Sequence, residues 1–303
     1  MDRRIIFAKD NNELYIELNI FYNIGLIILG LFAFLFNSFF SYIIWKEKLW
    51  KQSIQFVFQI LTSISGTVLG LRDILVGIIN LILLDSSISS YNFLVCKIKS
   101  SIDILILYVF ELSFCFRMVN FTLLIGYPIF YKNHLERAKN NKYIIAIILF
   151  LAFTCDIFYI LDINNTNDTK NCNVYSFMGL NYEHFFIALI IFLLLLSIPI
   201  LIFGLYNVVK LKLNKTTKDN IVRLSNYYNF IYFIFLVLPF SIIIMSLFFK
   251  ADKFLVGVFY DLTLFSVVVV AIVDFIFAMF YNKPIKDNTM KILKINSKIS
   301  FMS

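Results

Sequence analysis

Seven stretches of this chain stay apolar over lengths that a soluble core does not use. They run approximately over 20–45, 53–84, 95–131, 143–162, 183–211, 225–250 and 255–281. Crossing about 30 Å of hydrocarbon takes roughly 20 helical residues, and every stretch supplies that many. Lipid offers backbone N–H and C=O groups no partner, so a lone spanning segment must close its hydrogen bonds within itself, as a helix. A membrane barrel would show alternating segments of about ten residues instead. The second, third and fifth stretches exceed the minimum, which implies tilt or helical ends that stand out of the bilayer.

Composition agrees. Of 303 residues, 60% are hydrophobic and 15% charged, whereas soluble domains carry about 25% charged residues. The net charge of +8 does not mark nucleic-acid binding, because no basic run is interleaved with stacking aromatics on a soluble module. Four cysteines are too few for a disulfide scaffold and lack metal-ligand spacing. The expectation is an all-α membrane protein: a seven-transmembrane helix bundle with a short amphipathic eighth helix.

The lysines and arginines set the orientation. With the N-terminus outside, 17 of the 27 basic residues are cytoplasmic. These are Lys46, Lys48 and Lys51; Lys132, Arg137, Lys139 and Lys142; Lys210, Lys212, Lys215, Lys218 and Arg223; and Lys283, Lys286, Lys291, Lys294 and Lys298. The outer segments hold eight, and Arg72 and Arg117 lie within spans. Residues 1–19 are then an extracellular N-terminus without the order of a cleavable signal peptide. Residues 20–281 form the seven-span domain, and 282–303 a cytoplasmic amphipathic helix and tail. Ile285, Met290, Ile292, Leu293 and Ile295 alternate there with Lys286, Lys291 and Lys294, which suits a helix on an anionic leaflet or, alternatively, a disordered basic tail. Two glycosylation sequons, at Asn164 and Asn167, follow the fourth stretch on the outer side.

Several landmarks together resemble the rhodopsin-like G-protein-coupled receptors over nearly the whole chain. Cys96 opens the third stretch and Cys172 follows in the next outer loop. The run from Asn120, Phe121 and Thr122 to Pro128 resembles the family's D-R-Y-x-x-x-x-x-P, at the family's interval from Cys96. Asn37 resembles the asparagine of the first helix, and Leu61 to Ser65 the L-A-x-A-D of the second. Pro199 and Pro239, with Phe233 before the latter, resemble the prolines of the fifth and sixth helices. Asp274-Phe275-Ile276-Phe277-Ala278 resembles N-P-x-x-Y. Departures are plain: Ser65 replaces the aspartate, Phe121 the D-R-Y arginine, Val237 the usual tryptophan, and Phe275 and Ala278 the seventh-helix proline and tyrosine. Such drift, with Phe- and Ile-rich spans, is similar to the divergent serpentine chemoreceptors of nematodes.

The resemblance implies a plasma-membrane receptor that binds a small-molecule or peptide ligand outside and engages a heterotrimeric G protein inside. It also implies a Cys96–Cys172 bridge, and no cofactor, metal or catalytic residue. Asp103 stands where the family's amine receptors carry the carboxylate that pairs with an ammonium. The alternative function is a small-molecule or ion transporter or channel without G-protein coupling. Against it stands the absence of an inverted repeat or of paired broken helices. Against an enzyme, the only two histidines, His134 and His184, fall on opposite sides of the membrane in this topology, and no H-E-x-x-H or G-x-S-x-G appears.

Ionisable groups at bilayer depth are costly and are paired or functional as a rule. Here they are Arg72, Asp73, Asp103, Glu111, Arg117, Asp156 and Asp274. Asp103, Glu111 and Arg117 fall within an arc of roughly 120° on one helix. Arg72, at similar depth to Asp103, either neutralises it structurally or leaves it for a cationic ligand; the structural pair is favoured. Arg117 lies about 21 Å below Asp103, level with Asp274, and a pair between them is expected near Ser65 and Asn37. Glu111 either is protonated or contacts Arg117. Cys115 and Cys155 read as small apolar residues.

Overall fold

The computed structural model describes residues 20–85, 93–131, 133, 138–163, 174, 178–189, 191–192, 202, 206, 227, 230–231, 233–234, 238–248, 253–281 and 283–292. Among the described residues the regular structure is helical, with no strand. Helix α1 is Ile20–Lys46, followed by a 3-10 turn at Leu49–Lys51; α2 is Ile54–Asp85 and α3 Phe93–Gly126. A single turn at Pro128–Phe130 precedes α4, Ala138–Leu161. Helix α5 covers 180–189, α6 is Leu238–Phe248, α7 Lys253–Tyr281 and α8 Lys283–Ile292.

Among the described residues, four helices are long and apolar enough to cross a membrane, through Ile20–Lys46, Ile54–Ile82, Lys142–Leu161 and Leu262–Phe280. Helix α3, with 34 residues, reaches about 50 Å at 1.5 Å per residue. Much of the expected fifth and sixth spans lies outside the described residues. The third span ends earlier than the apolar run suggested. Helix α3 stops at Gly126 because Pro128 has no N–H to continue the ladder and disfavours helical geometry at Tyr127 before it. Helix α4 conversely starts before its apolar run, since Lys139, Asn140, Asn141 and Lys142 form a polar first turn.

Helices α1 and α2 pack backbone to backbone. A Cβ placed on Gly70 would stand 2.6 Å from both Gly30 O and Phe34 N, and one on Gly77 2.9 Å from Asn23 O. Small residues allow this approach between membrane helices, where dispersion and polar contacts replace the hydrophobic drive. Asn80 Nδ2 donates to Asn23 Oδ1 across the same seam at 2.9 Å.

Helix α3 lies at the centre of the core. Its Leu107, Phe110, Phe114 and Phe121 share one buried cluster with Tyr159 of α4 and Val267 of α7. Helix α8 docks through Ile285, buried against Phe40, Ile43, Ile44 and Leu49. Pro284 at its start is tolerated because early helical N–H groups have no partner within the helix anyway.

Candidate functional site: two ion pairs along the central helix

The first pair joins α2 to the N-terminal half of α3. Arg72 Nε donates to Asp103 Oδ1 at 2.7 Å and Nη2 donates to Oδ2 at 2.6 Å. The planar guanidinium and the carboxylate thus meet as a two-pronged fork, the strongest geometry for such a pair. Arg72 Nη1 donates to its neighbour Asp73 at 2.6 Å, and Lys99 Nζ stands 3.9 Å from Asp103 Oδ2, one turn up α3. Asp103 is 0% exposed and Arg72 retains 12% of its side-chain surface. Both oxygens of Asp103 are therefore engaged by this chain's own cation, the structural alternative of the two that its position allowed. The sharing of that guanidinium with Asp73 was not foreseeable from sequence.

The second pair joins α3 to α7. Arg117 Nη1 donates to Asp274 Oδ2 at 2.7 Å, with the arginine side chain 1% exposed. The expected pair is present. Beside it, α1, α2 and α7 converge. Asn37 Nδ2 donates to Ala33 O at 2.9 Å, and a Cβ on Gly66 would stand 2.6 Å from Ala271 Cβ and 2.9 Å from Asn37 Cγ. Ser65 is buried on α2 one residue away. Asn37 thus bonds its own helix and fills the three-helix junction.

Glu111 lies between the pairs, buried, and Oε1 has no hydrogen-bond partner among the described residues. No ion pair joins it to Arg117 among the described residues. One turn beyond Arg117, the stretch that resembles D-R-Y is buried: Asn120, Phe121 and Thr122 all lie inside, and Phe121 belongs to the main core cluster.

Further polar contacts tie α3 to α4 and α5. Ser101 Oγ donates to Asp156 at 2.9 Å, and the Tyr108 and Tyr182 hydroxyls share a hydrogen bond of 2.9 Å. Asp162, just past α4, accepts from Tyr182 N at 2.7 Å and from Asn181 Nδ2 at 3.0 Å. It caps the first turn of α5, where free backbone donors favour a carboxylate. Gly179 approaches Asp162 so closely that no side chain fits. Sequence reasoning missed all three contacts. Only the acidic residue near a helix start offered a signal.

Cys96 is buried and disulfide-bonded, whereas Cys115 and Cys155 are free. Cys172, Asn164, Asn167 and Pro199 lie outside the described residues, and Pro239 is the second residue of α6. Among the described residues no cluster of three or more His, Cys, Asp or Glu could hold a metal ion. What the arrangement provides is mechanical. Sliding α3 against α2 or α7 would separate a buried ion pair, at about 3–5 kcal/mol for each broken pair. No protein-family model matches the chain, and no curated protein matches it in sequence.

Proposed function

We propose that this chain is a seven-transmembrane cell-surface receptor with its N-terminus outside and its C-terminus in the cytoplasm. It binds an extracellular small-molecule or peptide ligand and signals through a heterotrimeric G protein, in a chemosensory setting. The observation that carries this reading is the pair of ionic ties on α3, one to α2 in its outer half and one to α7 about 21 Å further in. A ligand that competes for the Arg72–Asp103 tie would bias how α2 and α3 sit, and the Arg117–Asp274 tie would respond at the inner end. The shift available is limited to the ligand's difference in affinity between the two arrangements.

Other features support the same reading. In this reading Cys96 pairs with Cys172 and the bridge ties the loop with Asn164 and Asn167 over α3, in keeping with a bonded Cys96 beside free Cys115 and Cys155. Arg117, one turn before Asn120, supplies the inner cation that Phe121 does not. The prolines Pro199 and Pro239 give the fifth and sixth helices places to bend.

The test is expression with a promiscuous G protein, challenged with a panel of amines, organic acids and odorants. Ligand-dependent G-protein activation that requires Arg72 and Arg117 is the expected result. Ligand-dependent current or uptake, with no G-protein response, would contradict it and assign a transporter or channel.

A further inference from the structure

The only two tryptophans of the chain, Trp45 and Trp50, meet at the inner end of α1. Their rings stack with centroids 6.0 Å apart. Lys51 Nζ sits 5.2 Å from the Trp50 ring centroid, and Lys46 Nζ 5.2 Å from that of Tyr42, one turn before Trp45. Between them Lys48 takes φ 51°, a left-handed conformation that side chains other than glycine adopt uncommonly. That residue reverses the chain in a tight turn, closed by Lys48 N to Trp45 O at 3.1 Å and Lys51 N to Lys48 O at 3.0 Å. All three lysines are exposed; Glu47 beside them is half-buried, and α8 carries one exposed carboxylate, Asp287.

The position of this collar says what it meets. Phe21, Ile28, Leu35 and Tyr42 recur every seven residues on α1, all exposed, and Trp45 extends the stripe with 66% of its surface free. That is the lipid-facing side of a membrane helix. Helix α1 has 27 residues, about 40 Å at 1.5 Å per residue, whereas hydrocarbon is about 30 Å thick. The end of the stripe therefore stands at headgroup depth, where tryptophan and tyrosine concentrate. Helix α8 packs against the same end through Ile285 and brings Lys286 and Lys291 to that level.

We infer that the α1–α2 turn and α8 form a docking surface for anionic phospholipid headgroups, with the aromatic pair fixing depth and the lysines engaging the phosphate and its acidic substituents. An acidic cytosolic protein fits the charges but not the continuous lipid-facing stripe that leads into them. This rests on the reading of α1 as membrane-spanning with its end at the inner leaflet. It does not depend on ligand or G-protein assays, so the two readings fail separately.

The two tryptophans make the test specific, because intrinsic fluorescence reports this site alone. The full chain is reconstituted in phosphatidylcholine vesicles. Quenching by phosphatidylserine with brominated acyl chains is compared with quenching by equally brominated phosphatidylcholine. A lysine near an anionic surface is worth about fivefold in binding, so a preference of at least that order is expected for brominated phosphatidylserine. The preference should fall to parity in K46Q/K48Q/K51Q with its emission maximum retained, and in part in Lys48→Gln alone. Excess soluble glycerophosphoserine should leave it unchanged. Parity in the unaltered chain overturns the inference, as does displacement by the soluble headgroup. A polyglutamate peptide that shifts the emission while both lipids quench alike would overturn it too, in favour of a protein partner.

Discussion

Arg117 and Asp274 are 157 residues apart in sequence and 2.7 Å apart in space. Through that contact the third and seventh helices share a buried charge pair, and removing either residue takes an ionic partner from the other. A single neutralisation, Arg117→Ala or Asp274→Ala, should cost about 3–5 kcal/mol out of a stability that is only about 5–15 kcal/mol in most proteins. Surface expression should fall sharply in each. The exchange Arg117→Asp with Asp274→Arg should recover a substantial part of it. Flow cytometry of a tagged chain reads this directly, and a double variant no better than either single one would show that the pair is not the tie between these helices.

At the Arg72–Asp103 pair, fork geometry matters as much as charge. Arg72 holds Asp103 with two nitrogens and Asp73 with a third. Arg72→Lys keeps the charge but cannot form the fork, so it should retain only part of the thermal stability, and Arg72→Ala, which takes the guanidinium from two carboxylates and leaves Asp103 only the more distant Lys99, should lose the most. Asp103→Asn should be milder than Arg72→Ala. Unfolding in detergent, followed by a thiol-reactive dye at the free Cys115 and Cys155, ranks the three.

The α1–α2 seam predicts an all-or-none pattern among glycines. Gly70→Ala puts a methyl against backbone atoms of α1 that cannot move aside, and overpacking of this kind costs about 1–3 kcal/mol. Gly66→Ala meets Ala271 and Asn37 and should behave likewise. At Gly25 an added methyl would meet nothing within 4 Å, so Gly25→Ala should be neutral or stabilising by up to about 1 kcal/mol, the helix-propensity difference. Equal losses at Gly25 and Gly70 would contradict this packing.

Much of this was legible in the residues, for identifiable reasons. Apolar runs set α1, α2 and α7 to within a residue or two of their expected limits, because hydrocarbon length and polar flanks define such helices. The Arg72–Asp103 and Arg117–Asp274 pairs followed from depth along a helix and from the cost of an unpaired charge at that depth. The azimuth of each helix did not follow, since a rise per residue carries no rotation between neighbours. Hence the contacts of Ser101 with Asp156 and of Tyr108 with Tyr182 were not foreseen: a buried carboxyl or hydroxyl demands a partner, but a hydroxyl both donates and accepts, so many neighbours could serve. The early end of α3 was written in Pro128, but the apolar residues around it concealed the break.

The capping of α5 gives a local prediction. Asp162→Ala removes the acceptor for Tyr182 N and should cost about 1 kcal/mol. Asp162→Asn, which keeps a side-chain oxygen, should cost less. The same dye-based melts distinguish them, and equal effects would mean that the backbone bond is not what the carboxylate contributes.

The central claim is that seven segments cross the membrane. Three cysteine positions test it, each in a chain whose other cysteines are replaced by serine: Lys48→Cys, the native Cys172 and Ser303→Cys. An impermeant maleimide applied to intact cells should label Cys172 alone, and permeabilisation should be required for positions 48 and 303. Labelling of Cys172 from the same side as position 48, or of positions 48 and 303 from opposite sides, would contradict the seven-span account.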